Sequence, residues 1–155
     1  MKIHVCLISG QAAPNLLPAL DPDLKPDKAV LIITGNMKAK AENLTQVLKE
    51  NGVQIEQVHL SNEHDFLCTQ SELLELAYKL EEHDVFLNIT GGTKLMSVAA
   101  QSIATLGKNK WLMFYVDADT DQVIWLNRDD EPPHPLRQHL KLRHYLQSYG
   151  FKFGK

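Results

Sequence analysis

Cysteine is scarce in this chain, which has two among its 155 residues. Cys6 and Cys68 stand far apart and form no C-x-x-C pair, so neither a disulfide framework nor a zinc knuckle is predicted. Such sparse cysteine usage is typical of a protein that works in a reducing compartment. We therefore expect a cytoplasmic protein.

Long apolar runs and an excess of basic charge are missing as well. The N-terminal run MKIHVCLISG is too short for the apolar core of a signal peptide. No stretch reaches the roughly 20 apolar residues that a transmembrane helix needs. The formal net charge of −3 argues against a broad basic surface for duplex nucleic acid. We expect neither a membrane nor duplex nucleic acid as a partner.

The common signatures of nucleotide and metal enzymes are also absent. The sequence TGGTK at residues 90–94 has neither the Walker A spacing nor the G-x-G-x-x-G of dinucleotide-binding folds. None of the seven histidines belongs to an H-E-x-x-H pattern. Asp117 and Asp119 are two carboxylates close together at a strand end, but no third ligand is spaced to complete a metal site. We predict no metal and no cofactor, and ATPase, dehydrogenase and zinc hydrolase activities are unsupported.

A regular alternation of short apolar runs and amphipathic segments is what the chain does contain. Strands are predicted at residues 3–9, 29–34, 53–60, 84–90, 111–117 and 122–126. The nearly continuous apolar character of these runs indicates burial on both faces, as in a parallel sheet. The last two runs are close enough in sequence to pair antiparallel.

Helical patterns lie between and after these strands. Helices are predicted over residues 36–52, over residues 65–83, after the glycines at 91–92, and over a tail at 134–150. Asn51-Gly52 is a good helix stop, and four prolines between residues 14 and 27 allow only a short first helix. The predicted fold is α/β: a Rossmann-like, mostly parallel sheet with helices on both faces and a C-terminal antiparallel hairpin. One domain is expected to span residues 1–155.

Loops at the carboxyl ends of the strands hold the candidate binding residues, because ligands of open α/β sheets gather there. Glycines and hydroxyls beside helix starts supply free backbone N–H groups for phosphate oxygens. Each residue alone fits a plain structural role, such as a helix cap for Thr93, but together they favour a phosphorylated ligand. The predicted ligand-binding residues are Ser9, Gly10, Gln11, Asn15, Thr34, Gly35, Asn36, Met37, Thr90, Gly91, Gly92, Thr93, Lys94, Met96, Asp117 and Asp119.

Three stretches resemble the CRISPR-associated Rossmann fold (CARF) domain, in the branch that heads cyclic-oligoadenylate-activated nucleases of type III CRISPR systems. They are HVCLISGQAAPNLLPAL, NITGGTKLMSVAA and FYVDADTDQVIWL, which begin at residues 4, 88 and 114. The resemblance implies a homodimeric sensor of a cyclic oligoadenylate, above all cyclic tetra-adenylate, in antiviral signalling. In such effectors a nuclease domain follows, whereas none is recognised here, so we expect a free-standing sensor or a fragment of a longer protein.

Two functions remain open after this resemblance. The favoured one is a binding module for the cyclic messenger, and the alternative is a ring nuclease that degrades it without a metal. Ser9, Thr93 and Lys94 are the candidate catalytic residues, as donors that align and stabilise in-line attack by a ribose 2′-OH. No general base is evident in the sequence, so any cleavage is predicted to be slow and independent of magnesium or manganese.

Overall fold

A seven-stranded sheet forms the centre of the computed structural model, which describes residues 1–8, 10–11, 13–106, 110–128, 130–136 and 150. The strands are β1 (Lys2–Leu7), β2 (Lys28–Ile33), β3 (Gln54–His59), β4 (Asp84–Asn88), β5 (Leu112–Asp117), β6 (Gln122–Trp125) and β7 (His134–Pro135). The helices are α1 (Ala13–Leu20), α2 (Lys38–Glu50), α3 (Phe66–Lys79) and α4 (Lys94–Ala104), and a 3₁₀ turn covers Gly35–Met37.

The strands lie in the order β3-β2-β1-β4-β5-β6-β7. The first five strands of the chain pair in parallel, while β6 and β7 extend the sheet with antiparallel pairings. This arrangement confirms the predicted Rossmann-like sheet and its antiparallel end. The chain order reverses between β1 and β4, so the loops that follow these two strands leave towards opposite faces. Such a switch point is where ligands of open α/β sheets bind.

Helices cover both faces of the sheet, as predicted. Alternate residues of β1 divide between the two layers: Val5 and Leu7 belong to the core under α3 and α4, whereas Cys6 belongs to the core under α1 and α2. This period of two follows from the pleat of a strand, which points successive side chains to opposite faces. A strand buried on both sides therefore needs an unbroken apolar run, and β1 has one.

A third, aromatic cluster lies around β5 and β6. The imidazole of His4 packs with its centroid 5.9 Å from the Phe86 ring and 5.5 Å from the Phe114 ring. His4 is 1% exposed. Burial, with a smaller contribution from the charge of Lys2, lowers the pKa of His4 to about 3. His4 is therefore a neutral core residue at physiological pH.

The ends of the helices match the sequence signals. Asp65 caps α3 by accepting a hydrogen bond from the Cys68 amide at 2.9 Å. Asn51 ends α2 and is followed by Gly52 with φ of +84°, a left-handed conformation that suits glycine. No helix in the described part of the chain has the length and apolar character that crossing a bilayer would require.

The C-terminal region differs from the sequence prediction. A helix was predicted from residue 134, but His134 and Pro135 form β7, which pairs with Val123 and Gln122 of β6. Prolines on either side of His134 disfavour a helix there, and its imidazole lies 3.3 Å from Oδ1 of Asp21. The rest of the predicted tail helix, at residues 137–149, lies outside the described residues.

Candidate functional site

Two polar side chains join three loops at the carboxyl end of the sheet. Asn88 Nδ2 donates to the Pro14 carbonyl oxygen at 2.8 Å, and Asn88 Oδ1 accepts from the Thr90 amide and hydroxyl at 3.1 and 2.7 Å. The Thr90 hydroxyl in turn accepts from the Val116 amide at 2.8 Å. The start of α1 and the ends of β4 and β5 are therefore held in a fixed arrangement. Thr90, a predicted ligand contact, has a structural role in this network.

The turn from β4 into α4 approaches β1 closely. Gly92 has φ of +80°, and a Cβ built there would lie 2.9 Å from Cβ of Leu7. Thr93 caps α4 by accepting from the Met96 amide at 3.2 Å. Gly92, Thr93 and Lys94 are exposed, so the positive end of the α4 dipole and the lysine ammonium face solvent together. This geometry suits an anionic ligand group.

A second turn follows β2 and is tied to the loop after β3. The Thr34 hydroxyl donates to Oδ1 of Asn36 at 2.8 Å, which stabilises the 3₁₀ turn. The Gly35 amide donates to Oε2 of Glu63 at 3.1 Å, across 28 positions of sequence. The β2–α2 turn and the β3–α3 loop are thereby held side by side.

A cavity of about 260 Å³ opens between these loops. Its lining includes Thr34, Asn36, Glu63, His64, Thr93 and Leu95. The structure thus brings together Thr34 and Asn36 of the β2 end and Thr93 of the β4–α4 turn, all three predicted site residues. The β3–α3 loop completes the wall, with His64 Nε2 at 3.6 Å from Oε1 of Glu63.

Sequence reasoning missed Glu63 and His64, although a usable signal was present. The rule that ligands gather at carboxyl ends applies to β3 as much as to its neighbours. The segment SNEHD, residues 61–65, follows β3 and contains no glycine, and none of its residues was among the predicted binding residues. Leu95, the second residue of α4, supplies an apolar part of the wall.

Other predicted site residues do not line this cavity. Met96 is buried in the core under α3 and α4, which gives it a packing role. Asp117 accepts from the Asp119 amide at 3.0 Å within their own turn. Gly10 and Gln11 are exposed just beyond β1, and Ser9 lies outside the described residues. Ligand contacts by these six residues stay predictions.

Asn15, Met37 and Gly91 complete the predicted set, and Gly91 is buried in the β4–α4 turn. Asn15 is 2% exposed, and neither polar atom of its amide has a hydrogen-bond partner among the described residues. An amide without a partner is costly to bury, and a ligand contact by Asn15 stays a prediction. Met37 is half-buried and packs against the core under α1 and α2.

A larger cavity lies at the opposite, amino end of the sheet. It measures about 560 Å³, and Lys2, His83, Lys110 and Trp111 contribute to its wall. We place the functional site at the smaller cavity, because strand carboxyl ends and a helix N-terminus meet there.

Elsewhere, Asp21, Asp23 and His134 bring three potential metal-ligating atoms within 4.8 Å of one another. Asp21 Oδ1 already accepts from the Asp23 amide at 2.9 Å, and the cluster joins β7 to the loop after α1.

Comparison with known proteins identifies the fold family. The sequence model of the Card1 CARF domain matches residues 3–145. This chain belongs to the Card1 CARF domain family. The CARF assignment confirms the resemblance that three sequence stretches indicated. No curated protein matches the chain.

Solved structures show the same CARF architecture. Can2 from Sulfobacillus thermosulfidooxidans, solved in complex with cyclic tetra-adenylate, is 28% identical with a TM-score of 0.79, over 98% of this chain and 42% of that one. Protein VC1899 from Vibrio cholerae is 19% identical with a TM-score of 0.88, over 96% of this chain and 39% of that one. A type III CRISPR defence DNA nuclease activated by cyclic oligoadenylate is 19% identical with a TM-score of 0.77, over 99% and 24%. The present chain therefore spans about two fifths or less of these proteins.

Proposed function

We propose that this CARF domain is a sensor that binds a cyclic oligoadenylate, with cyclic tetra-adenylate as the preferred ring, in type III CRISPR antiviral signalling. The observation that carries the proposal is that the cavity and the β4–α4 turn, residues 90–94, lie together at the carboxyl end of the sheet. We call this segment the glycine turn. The Can2 structure adds support, because a protein 28% identical to this chain holds cyclic tetra-adenylate.

The glycine turn is the proposed site of a ring phosphate. Backbone amides at the start of α4 and the exposed ammonium of Lys94 offer donors and positive charge on one side of the cavity. The hydroxyl of Thr93 accepts from its own helix and can still donate to a phosphate oxygen. A ring with four phosphates would be neutralised in part by two copies of this turn.

The symmetry of the ligand supports a homodimer. A ring of four identical nucleotides contains a two-fold axis, and an isologous dimer presents the same loops to each half of such a ring. One CARF site would therefore bind half of the ring, and two would enclose it.

Thermal unfolding with a series of rings tests the proposal. A ligand that binds the folded state alone stabilises it by about 2.7 kcal/mol at one hundred times its dissociation constant. We expect cyclic tetra-adenylate to raise the unfolding midpoint by roughly 5 °C or more, and linear tetra-adenylate at the same concentration to raise it much less. Equal midpoints with and without every cyclic oligoadenylate would contradict the proposal.

Ring cleavage is the second candidate function, and one feature of the structure favours it. The cavity lining includes Thr93 and, beside Glu63, the imidazole of His64, which is a candidate acid or base group. In that reaction a ribose 2′-oxygen loses its proton and attacks the adjacent phosphorus. The bond from phosphorus to the 5′-oxygen then breaks, leaving a 2′,3′-cyclic phosphate and a 5′-hydroxyl. Incubation of labelled cyclic tetra-adenylate with the protein in EDTA distinguishes the two functions, since linear products would show a metal-independent ring nuclease.

A further inference from the structure

The cavity between the β2–α2 turn and the β3–α3 loop has an unexpected charge for a site that receives a polyanion. Among the described residues of its lining, Glu63 is acidic and none is lysine or arginine. Lys94 belongs to the neighbouring turn and does not appear in this wall. A phosphate group placed in the cavity would face a fixed carboxylate of the same sign.

Glu63 is held in place before any ligand arrives. Its side chain is 25% exposed, Oε2 accepts from the Gly35 amide at 3.1 Å, and Oε1 lies 3.6 Å from the His64 imidazole. The two oxygens of a carboxylate offer about four lone pairs, so Glu63 retains acceptor capacity after these contacts. It is an oriented acceptor that needs a donor from the ligand.

The loop that carries Glu63 is also rigidly attached to α3. Oδ1 of Asn62 accepts from the His64 amide at 3.2 Å, and the Ser61 amide donates to Oε1 of Glu72 at 3.0 Å. With the Asp65 cap, these bonds hold the loop to the first two turns of the helix. An acceptor on such a scaffold can discriminate between ligand groups, because it does not move to suit each one.

The other walls suit a flat, partly apolar group. Leu95 gives an apolar surface, and the His64 ring, with 88% of its side chain exposed, is free to stack on a base. The volume of about 260 Å³ is smaller than the roughly 300–1,000 Å³ that encloses a drug-sized ligand. The cavity therefore fits one part of a cyclic oligonucleotide, and that part carries a hydrogen-bond donor.

We propose that this cavity is a base subsite and that Glu63 is a specificity-determining residue, which selects a 6-aminopurine by accepting a hydrogen bond from its exocyclic amine. The inference rests on the proposed function, since it assigns the bases and the phosphates of the ring to different parts of one site. The phosphates face the glycine turn and Lys94, while a base enters beside Glu63. A purine with a carbonyl at position 6 would set two acceptors against each other.

Paired titrations with two rings test the assignment. Cyclic tetra-adenylate and cyclic tetra-inosinate differ in two atoms of the base edge: the 6-amine of adenine is a carbonyl oxygen in hypoxanthine, and N1 carries a hydrogen only in hypoxanthine. We expect the wild-type protein to bind the adenine ring at least tenfold more tightly. Glu63→Gln keeps an oxygen that can accept from the Gly35 amide and adds a hydrogen-bond donor. It should bind the adenine ring about tenfold more weakly than the wild-type protein does. It should bind the inosine ring at least as tightly as the wild-type protein does. Glu63→Ala should bind both rings with similar, reduced affinity.

Glu75→Gln is the matched control for charge. Glu75 is exposed on α3 and does not line the cavity, so its loss removes one negative charge without touching the proposed subsite. This variant should keep the wild-type preference. An unchanged preference in Glu63→Gln, or tighter binding of the adenine ring by it, would overturn the base subsite while leaving cyclic oligoadenylate sensing intact. If the wild-type protein bound neither the adenine ring nor the inosine ring, that result would contradict both the proposed function and the subsite.

Discussion

At the scale of single residues, His4 links burial to pH-dependent stability. Its pKa is about 3 in the folded chain, against about 6.5 for an exposed histidine, because burial disfavours the imidazolium. Between these two values the unfolded chain binds a proton that the folded chain does not. The stability is therefore complete above about pH 6.5 and falls as the pH drops towards 3, by up to about 1.4 kcal/mol for each pH unit.

This dependence leads to the first prediction. Urea unfolding at pH 7 and pH 5 should show a clear loss of stability for the wild-type protein. His4→Phe removes the titrating group and should flatten the dependence, because phenylalanine can pack against Phe86 and Phe114 in its place. His59→Gln, at an exposed position, should behave like the wild type. Equal pH slopes in all three proteins would contradict the prediction.

The second prediction at the scale of single residues concerns Lys94. Lys94→Ala should leave the unfolding midpoint unchanged, because the side chain is exposed in the first turn of α4. It should weaken the binding of cyclic tetra-adenylate at least tenfold, since a charge-assisted hydrogen bond contributes on the order of 1.5–3 kcal/mol. Calorimetry measures the change, with Lys79→Ala on α3 as the control for a lost positive charge. A dissociation constant equal to that of the wild type would remove Lys94 from the site.

At the scale of elements, the glycine turn before α4 is the most sharply constrained segment. Gly92→Ala places a Cβ 2.9 Å from Leu7 in a left-handed conformation that alanine disfavours by roughly 1–2 kcal/mol. We expect a loss of about 2 kcal/mol or more, which lowers the unfolding midpoint by roughly 4 °C or more. Gly35→Ala, where no atom lies within 4 Å of the added carbon, should change stability little. Equal unfolding midpoints for Gly92→Ala and Gly35→Ala would contradict this prediction, because they would mean that the turn accommodates the added Cβ.

Elements whose patterns are local were predictable from the sequence. Strands buried on both faces and helices with capping residues are determined by patterns within a few neighbouring residues. Thr93 and Asn51 lie at helix ends, as their residue types suggest. The two-residue strand β7 is too short to show a period of two. It depends on contacts between His134 and Asp21, which are 113 positions apart.

The candidate site shows the same division between local and distant contacts. The glycine turn was readable because glycine, threonine and lysine stand together in the sequence. The cavity wall was not readable in this way, because Glu63 is held there by a hydrogen bond from the Gly35 amide, which is 28 positions away in the sequence. The position of SNEHD directly after β3 marked the loop as a candidate, but nothing in its local pattern shows that Glu63 contacts Gly35.

At the scale of the whole molecule, the homodimer stays a prediction. Leu16 of α1 is completely buried, so it offers no apolar surface to a second subunit. Exposed apolar side chains lie elsewhere in the described structure, and include Leu67 and Tyr78 of α3 and Val98 of α4. Light scattering should give twice the mass of the chain. A monomer that binds one whole ring per chain would contradict the shared site.

Direct titration of the purified protein with cyclic tetra-adenylate is the most decisive measurement, because it asks whether the β2–α2 turn, the β3–α3 loop and the β4–α4 turn together form a receptor for this ring. Calorimetry should show saturable binding with one ring for every two chains, and linear tetra-adenylate, with the same bases and nearly the same charge, should bind far more weakly. No heat of binding from cyclic tetra-adenylate, or equal affinity for the linear and cyclic forms, would contradict the account.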